Sequence, residues 1–209
     1  MPIELTELVT DRKAVVVTME IQRGVVGDLS SFPDIAEAVA AGQVVENAAR
    51  LVNAARAAGV PVVHCTAGFR SDRLGTPSNA PLIAKLMRQP EHLLEGTAAV
   101  ELVPELGPAE GDLVSHRRHG VSPFCGTSLD PCLRSLGVRT VVAAGVSLNL
   151  GIIGLAVEAV NLGYNVVIAT DAVAGVPAEY SASVLRNTLS LVARLATVDE
   201  IATCWRPRR

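Results

Sequence analysis

Aromatic residues are scarce in this chain of 209 residues: they make up 3%, as three Phe, two Tyr and one Trp. A core with so few rings has to be built from Val, Leu, Ile and Ala, which suits a sheet buried on both faces. Positive charge is not in excess either. Eighteen Lys and Arg face 21 Asp and Glu, for a net charge of -3, which argues against a nucleic-acid surface. The only basic cluster is the tail Arg206-Pro207-Arg208-Arg209, read as solvated. No run approaches 18 uninterrupted apolar residues, so no membrane span is expected despite a mean hydropathy of +0.37. That hydropathy is instead expected to be absorbed by a homodimer or larger homo-oligomer. The four cysteines follow no framework spacing and the N-terminal MPIELTELVTDRK has no signal-like pattern, so the expectation is a reduced, cytoplasmic protein. His64, His92, His116 and His119 lack the paired spacing of a zinc site, and neither a metal nor another cofactor is implied.

What the chain does have is β-branched runs joined by glycine-ended helices. Ala58-Gly59 before Val60-Pro61-Val62-Val63, Leu136-Gly137 before Val138 to Val142, and Leu162-Gly163 before Tyr164 to Val167 each read as a helix stopped by glycine and followed by a buried strand. Three such junctions predict one layered α/β domain over residues 1–209, with a mainly parallel sheet and right-handed crossovers. Strands are predicted at Ala14–Thr18, Pro61–Cys65, Asp112–Ser115 and Arg139 onward. Helices are predicted at Val44–Ala58, around Leu82–Arg88, and at Leu129–Leu136, Asn149–Leu162 and Ala178–Ala196, with a possible edge strand near Val198–Thr203. A long insert, Thr66–Glu110, should cover a pocket or an interface.

In a parallel sheet, ligands gather at the carboxyl ends of the strands. There the first strand delivers Glu20 and Gln22, and the third delivers His116, Arg117, Arg118 and His119. Glu20 reads either as a general acid or base or as the partner of an arginine. One of the two arginines could pair with Glu20 or grip an anion. Cys125 is a weak alternative nucleophile, with no evident base beside it. Ser147 and Asn149, flanking the turn Gly145-Val146-Ser147, read as caps of the following helix or as part of an oxyanion site. Cys132 and Cys204 read as fillers, and His64 as a hydrogen-bonded core residue.

The segments VVVTMEIQRG, RHGVSPFCGTSLDPCLRSLGVRTVVAAGVS and EAVNLGYNVVIATDAVAG, in that order, resemble the isochorismatase-like (cysteine hydrolase) superfamily over nearly the whole chain. The resemblance implies a three-layer αβα fold with a six-stranded, mostly parallel sheet, oligomeric assembly, and a site at the strand ends. It also implies a non-proline cis peptide at Val146-Ser147. The family's catalytic aspartate, lysine and cysteine fall on Glu20, Arg118 and Gly151, and all three differ. Gly151 has no side chain to attack a carbonyl, so the thioester route is closed. The expectation is therefore a hydrolase acting on a small anionic metabolite without a cysteine nucleophile, cleaving a vinyl ether or related C–O or C–N bond. Glu20 would be general acid or base and Arg118 the anion anchor, with Val146, Ser147, Asn149, Gln22 and Phe124 contacting substrate or oxyanion. The alternative is a catalytically silent binding or scaffolding protein.

Overall fold

The structure is a computed structural model that describes residues 4–10 and 13–206; of the basic tail, Pro207 to Arg209 lie outside these. The elements run α1 (Leu5–Val9), β1 (Ala14–Met19), α2 (Pro33–Ala41), α3 (Val44–Ala57), β2 (Val62–Ala67), α4 (Pro81–Leu86), β3 (Leu113–Arg117), α5 (Leu129–Ser135), β4 (Thr140–Val146), α6 (Ile153–Asn161), β5 (Asn165–Ala174), α7 (Ala178–Asn187), β6 (Arg194–Ala196) and α8 (Val198–Trp205). All six strands pair in parallel, in the order β3-β2-β1-β4-β5-β6. This is an α/β fold with helices on both faces, as the glycine-ended junctions predict. Among the described residues no helix is long and apolar enough to cross a membrane.

Side chains alternate across a strand, so β1 feeds two cores. Ala14 and Val16 join one hydrophobic cluster with Ala48 and Leu51 of α3 and Ile201 of α8. Val15, Val17 and Met19 join the other, with Leu129 and Leu133 of α5 and Leu155 and Ala156 of α6. This parity sends Met19, the last residue of β1, toward the side from which α6 rises. One glycine is indispensable to the arrangement. Gly145 has φ +115°, and a Cβ there would lie 2.1 Å from the Met19 carbonyl oxygen, so β4 can lie this close to the end of β1 only without a side chain.

The C-terminal region departs from the sequence expectation. The predicted helix Ala178–Ala196 stops at Asn187, and its last residues form instead the edge strand β6, pairing Val167 with Arg194 and Ala169 with Ala196. The predicted strand near Val198–Thr203 is helix α8. Thr197 caps it, accepting from the Glu200 backbone N–H while the Glu200 carboxylate accepts from the Thr197 backbone N–H. The expected helix from Asn149 begins as a wide π-type turn over Leu148–Ile152 and becomes regular only at Ile153.

Candidate active site

β1 ends where Glu20 turns into the left-handed region, φ 51°. Its backbone N–H still donates to the Cys65 carbonyl at 2.9 Å. The turn carries its carboxylate off the strand toward β3. There the guanidinium of Arg117 meets it, Nη2 donating to Glu20 Oε1 in a salt bridge with the two side chains 8% and 18% exposed. Nε and Nη1 of Arg117 are buried and have no hydrogen-bond partner among the described residues.

The cation beside Glu20 is thus Arg117, and not the Arg118 expected as anion anchor. In β3, Ser115 and Arg117 are buried while His116 is exposed. The next side chain, Arg118, leaves the site and grips Glu95, with Nε 2.5 Å from Oε1 and Nη2 3.0 Å from Oε2. That pairing holds the Glu95 carboxyl below the usual carboxylate range.

The pair borders a cavity of about 270 Å³. Val146, Ser147, Asn149 and Gly151 form one side of it, beside the Val146–Ser147 peptide, which is cis. The insert after β2 supplies much of the opposite wall through Phe69, Leu82, Ile83, Leu86, His92 and Leu93. A side chain at Gly151 would find its place taken: its Cβ would lie 2.7 Å from Cε and 3.1 Å from Sδ of Met19.

Several expected site residues are placed elsewhere. Gln22 is fully buried and its amide is used up in backbone bonds: Nε2 donates to the carbonyls of Ala67 at 2.8 Å and Val100 at 2.9 Å, and Oε1 accepts from the Ala67 N–H at 2.8 Å. It joins the end of β1 to the insert and does not line the cavity. Phe124 is stacked on Tyr164 in the core, with ring centroids 6.2 Å apart. Cys125 is exposed and outside the cavity wall. Ser147 and Asn149 make no side-chain cap; Asn149 Oδ1 is buried with no hydrogen-bond partner. Cys65 is sealed in the sheet, where burial pushes its thiol up to about 12. None of the four cysteines lines the cavity.

The cavity wall also includes two histidines: His119, expected at the end of the third strand, and His92, for which the sequence indicates no site. His119 is half-buried, its ring packed where a Gly126 Cβ would otherwise sit, 2.7 Å away. His92 is buried against Phe32 and Phe69 and bonds Ser31 Oγ through Nδ1 at 2.8 Å. Burial, with Arg73 nearby, pushes it down to about 4. His64, as expected, is a hydrogen-bonded core residue between Thr18 (2.7 Å) and Asp112 (3.2 Å), and burial lowers it too. Among the described residues no three His, Cys, Asp or Glu side chains converge as a metal site.

Both buried histidines have folded-state values below the ordinary imidazole value, so their contribution is complete above the unfolded pKa and lost as pH falls through the window beneath it. For His92 that window runs from the reference value of 6.5 to about 4. Its expected cost at about pH 5 is about 2 kcal/mol. Urea titrations at about pH 7.5 and pH 5 should show His92→Asn losing most of that difference; an unchanged difference would mean that His92 is not held neutral.

In sequence, residues 14–200 match the Isochorismatase domain family. The chain is 32% identical over 189 residues to YecD of Escherichia coli O157:H7, an uncharacterised isochorismatase family protein, covering 88% of this chain and 92% of that one. It is 29% identical over 194 residues to the ureidoacrylate amidohydrolase RutB of Pseudomonas syringae pv. syringae, covering 86% and 76%. In structure it superimposes on an isochorismatase family protein from Desulfovibrio vulgaris with TM-score 0.78 at 25% identity, over 92% of this chain and 98% of that one.

Proposed function

The chain belongs to the isochorismatase family, and from that premise we propose that it is a hydrolase of a C–O or C–N bond, vinyl ethers included, in which water and not a side chain is the nucleophile. The observation that carries this reading is the site's inventory. A carboxylate, Glu20, stands at a cavity to which no cysteine contributes, and Gly151, the position to which the sequence resemblance assigns the family's thiol, lines the same cavity. Without a thiolate no thioester forms. What remains is proton transfer by Glu20, to the departing group or from the attacking water, with Arg117 fixing the carboxylate's position. Arginine keeps its proton at all working pH values, so Arg117 orients and balances charge but cannot relay a proton.

The test is turnover on a panel of vinyl ethers, esters and amides, with the product analysed after reaction in ¹⁸O-water. Glu20→Gln is expected to lower kcat/KM by about 10²-fold or more, and no covalent enzyme adduct should appear by mass spectrometry. Full turnover in Glu20→Gln, or a trapped adduct, overturns the reading. One observation favours the rival reading of a binding protein without turnover: Glu20 is already engaged by Arg117 in the free protein. That reading requires ligands that raise the melting temperature while no panel member is consumed.

A further inference from the structure

We infer that the cavity takes an uncharged, largely apolar molecule with a dipolar head, such as a carboxamide, ester or hydroxyl, and discriminates against anions. This rests on the cavity being the reaction site and names the substrate class for it.

The charge balance of the walls carries the argument. Among the described residues Glu20 and Arg117 are the only charged side chains lining the cavity, and they neutralise each other. Three arginines of the surrounding segments are committed to partners within the protein. Arg118 is bound to both oxygens of Glu95. Arg73 donates to the carbonyls of Gln89 (2.8 Å), Pro90 (2.8 Å) and His92 (3.2 Å), with its guanidinium 5.7 Å from the Phe69 ring centroid. Arg70 is spent on Asp72. His92, which burial pushes down to about 4, contributes no charge near neutral pH. His119 is the one further titratable side chain at the wall.

A second carboxylate brought into this space would lose its hydration and find no unbalanced cation in return. The walls favour the opposite kind of guest: Phe32, Ile35, Phe69, Leu82, Leu86 and Val176 present continuous apolar surface. Arg117 and Asn149 at the wall carry unpartnered polar atoms of both signs, donors at Nε and Nη1 and an acceptor at Oδ1, but all three are buried behind the cavity surface and none is held out as a ready anion site. A head with a dipole and no net charge needs no counter-ion from such a wall, whereas a carboxylate does. At about 270 Å³ the space falls just under the range of drug-sized pockets, so the guest is small.

Three isosteres separate charge from shape: benzamide, benzoate and benzamidinium. Binding is measured by calorimetry at about pH 8, above the ordinary imidazole range. Benzamide is expected to bind at least about tenfold more tightly than either ion, a difference of about 1.4 kcal/mol. Glu20→Gln, which leaves the Arg117 charge unbalanced, should raise the benzoate-to-benzamide affinity ratio by about tenfold or more. Leu82→Asp, at a wall position 39% exposed, should abolish benzamide binding. Benzoate equalling benzamide in the unsubstituted protein, no benzamide binding at its solubility limit, an unmoved ratio in Glu20→Gln, or full binding by Leu82→Asp each overturns the inference. Turnover is not read in this experiment. A protein that binds benzamide selectively but hydrolyses nothing would sink the hydrolase reading and leave the inference standing; a hydrolase that prefers benzoate would do the reverse.

Discussion

A Glu20→Ala variant is expected to lose about 3–5 kcal/mol of folding stability in urea denaturation, far more than truncation of an ordinary strand-end carboxylate. The reason lies in what remains. The Arg117 side chain is 8% exposed, and among the described residues its one side-chain partner is Glu20 while its Nε and Nη1 have none. Removing the carboxylate leaves a guanidinium that is buried, unpaired and unable to discard its charge. Arg117→Met is expected to cost less, since methionine fills much of the same volume and Glu20, at 18% exposed, retains some access to water. The double variant Glu20→Ala/Arg117→Met should then be more stable than Glu20→Ala alone, with a coupling energy of about 1–3 kcal/mol. Additive effects would show that the two side chains do not depend on each other, and would remove the basis for assigning Arg117 as the group that orients Glu20.

The same pair shows how far the residues alone disclose the site. Glu20 is legible because it follows a β-branched run that has to be a central strand. The choice between Arg117 and Arg118 turns on parity. The sequence places the end of β3 at Ser115; the strand runs two residues further, and alternation then turns Arg117 inward with Ser115 while Arg118 goes out to Glu95. A motif aligned by position cannot supply that parity, because only pairing with β2 sets where the strand stops. The C-terminal errors have two causes. β6 is a three-residue strand, Arg194–Ala196, whose stability comes from β5 beside it, so its own residues continue the preceding helical pattern. The start of α8, by contrast, was readable: Thr197 followed three residues later by Glu200 is a capping box, which the structure forms in full. The cavity's apolar wall was not readable in detail. Leu82, Leu86 and His92 sit in an insert whose length, at the carboxyl end of a strand, says that it covers something, and only its tertiary docking says what.

Cysteine at 151, the position where the resemblance puts the family's nucleophile, is expected to destabilise the fold by about 1–3 kcal/mol. The new Cβ would lie 2.7 Å from the Met19 methyl, 3.1 Å from its sulfur and 3.1 Å from the Val146 carbonyl oxygen. Met19 is 1% exposed and packed with Val17, Leu148 and Ile152 in one of the two cores, so its tip is flexible but has little free space to enter. Met19→Val shortens that side chain and should relieve the crowding. Met19→Val/Gly151→Cys is therefore expected to be more stable than the sum of its parts by about 1 kcal/mol. Its thiol should be alkylated by iodoacetamide within the cavity, while Cys65, buried with its thiol pushed up to about 12, stays unmodified and the exposed Cys125 reports the background rate. Equal stability of Gly151→Cys and the unsubstituted protein, or strict additivity with Met19→Val, would show that Met19 does not occupy the thiol's place. The expected coupling ties two residues 132 positions apart in sequence: a glycine at the head of α6 and a methionine at the end of β1 are complementary halves of one filled volume. Placing a covalent nucleophile at 151 would then require the core behind the site to change together with the site itself.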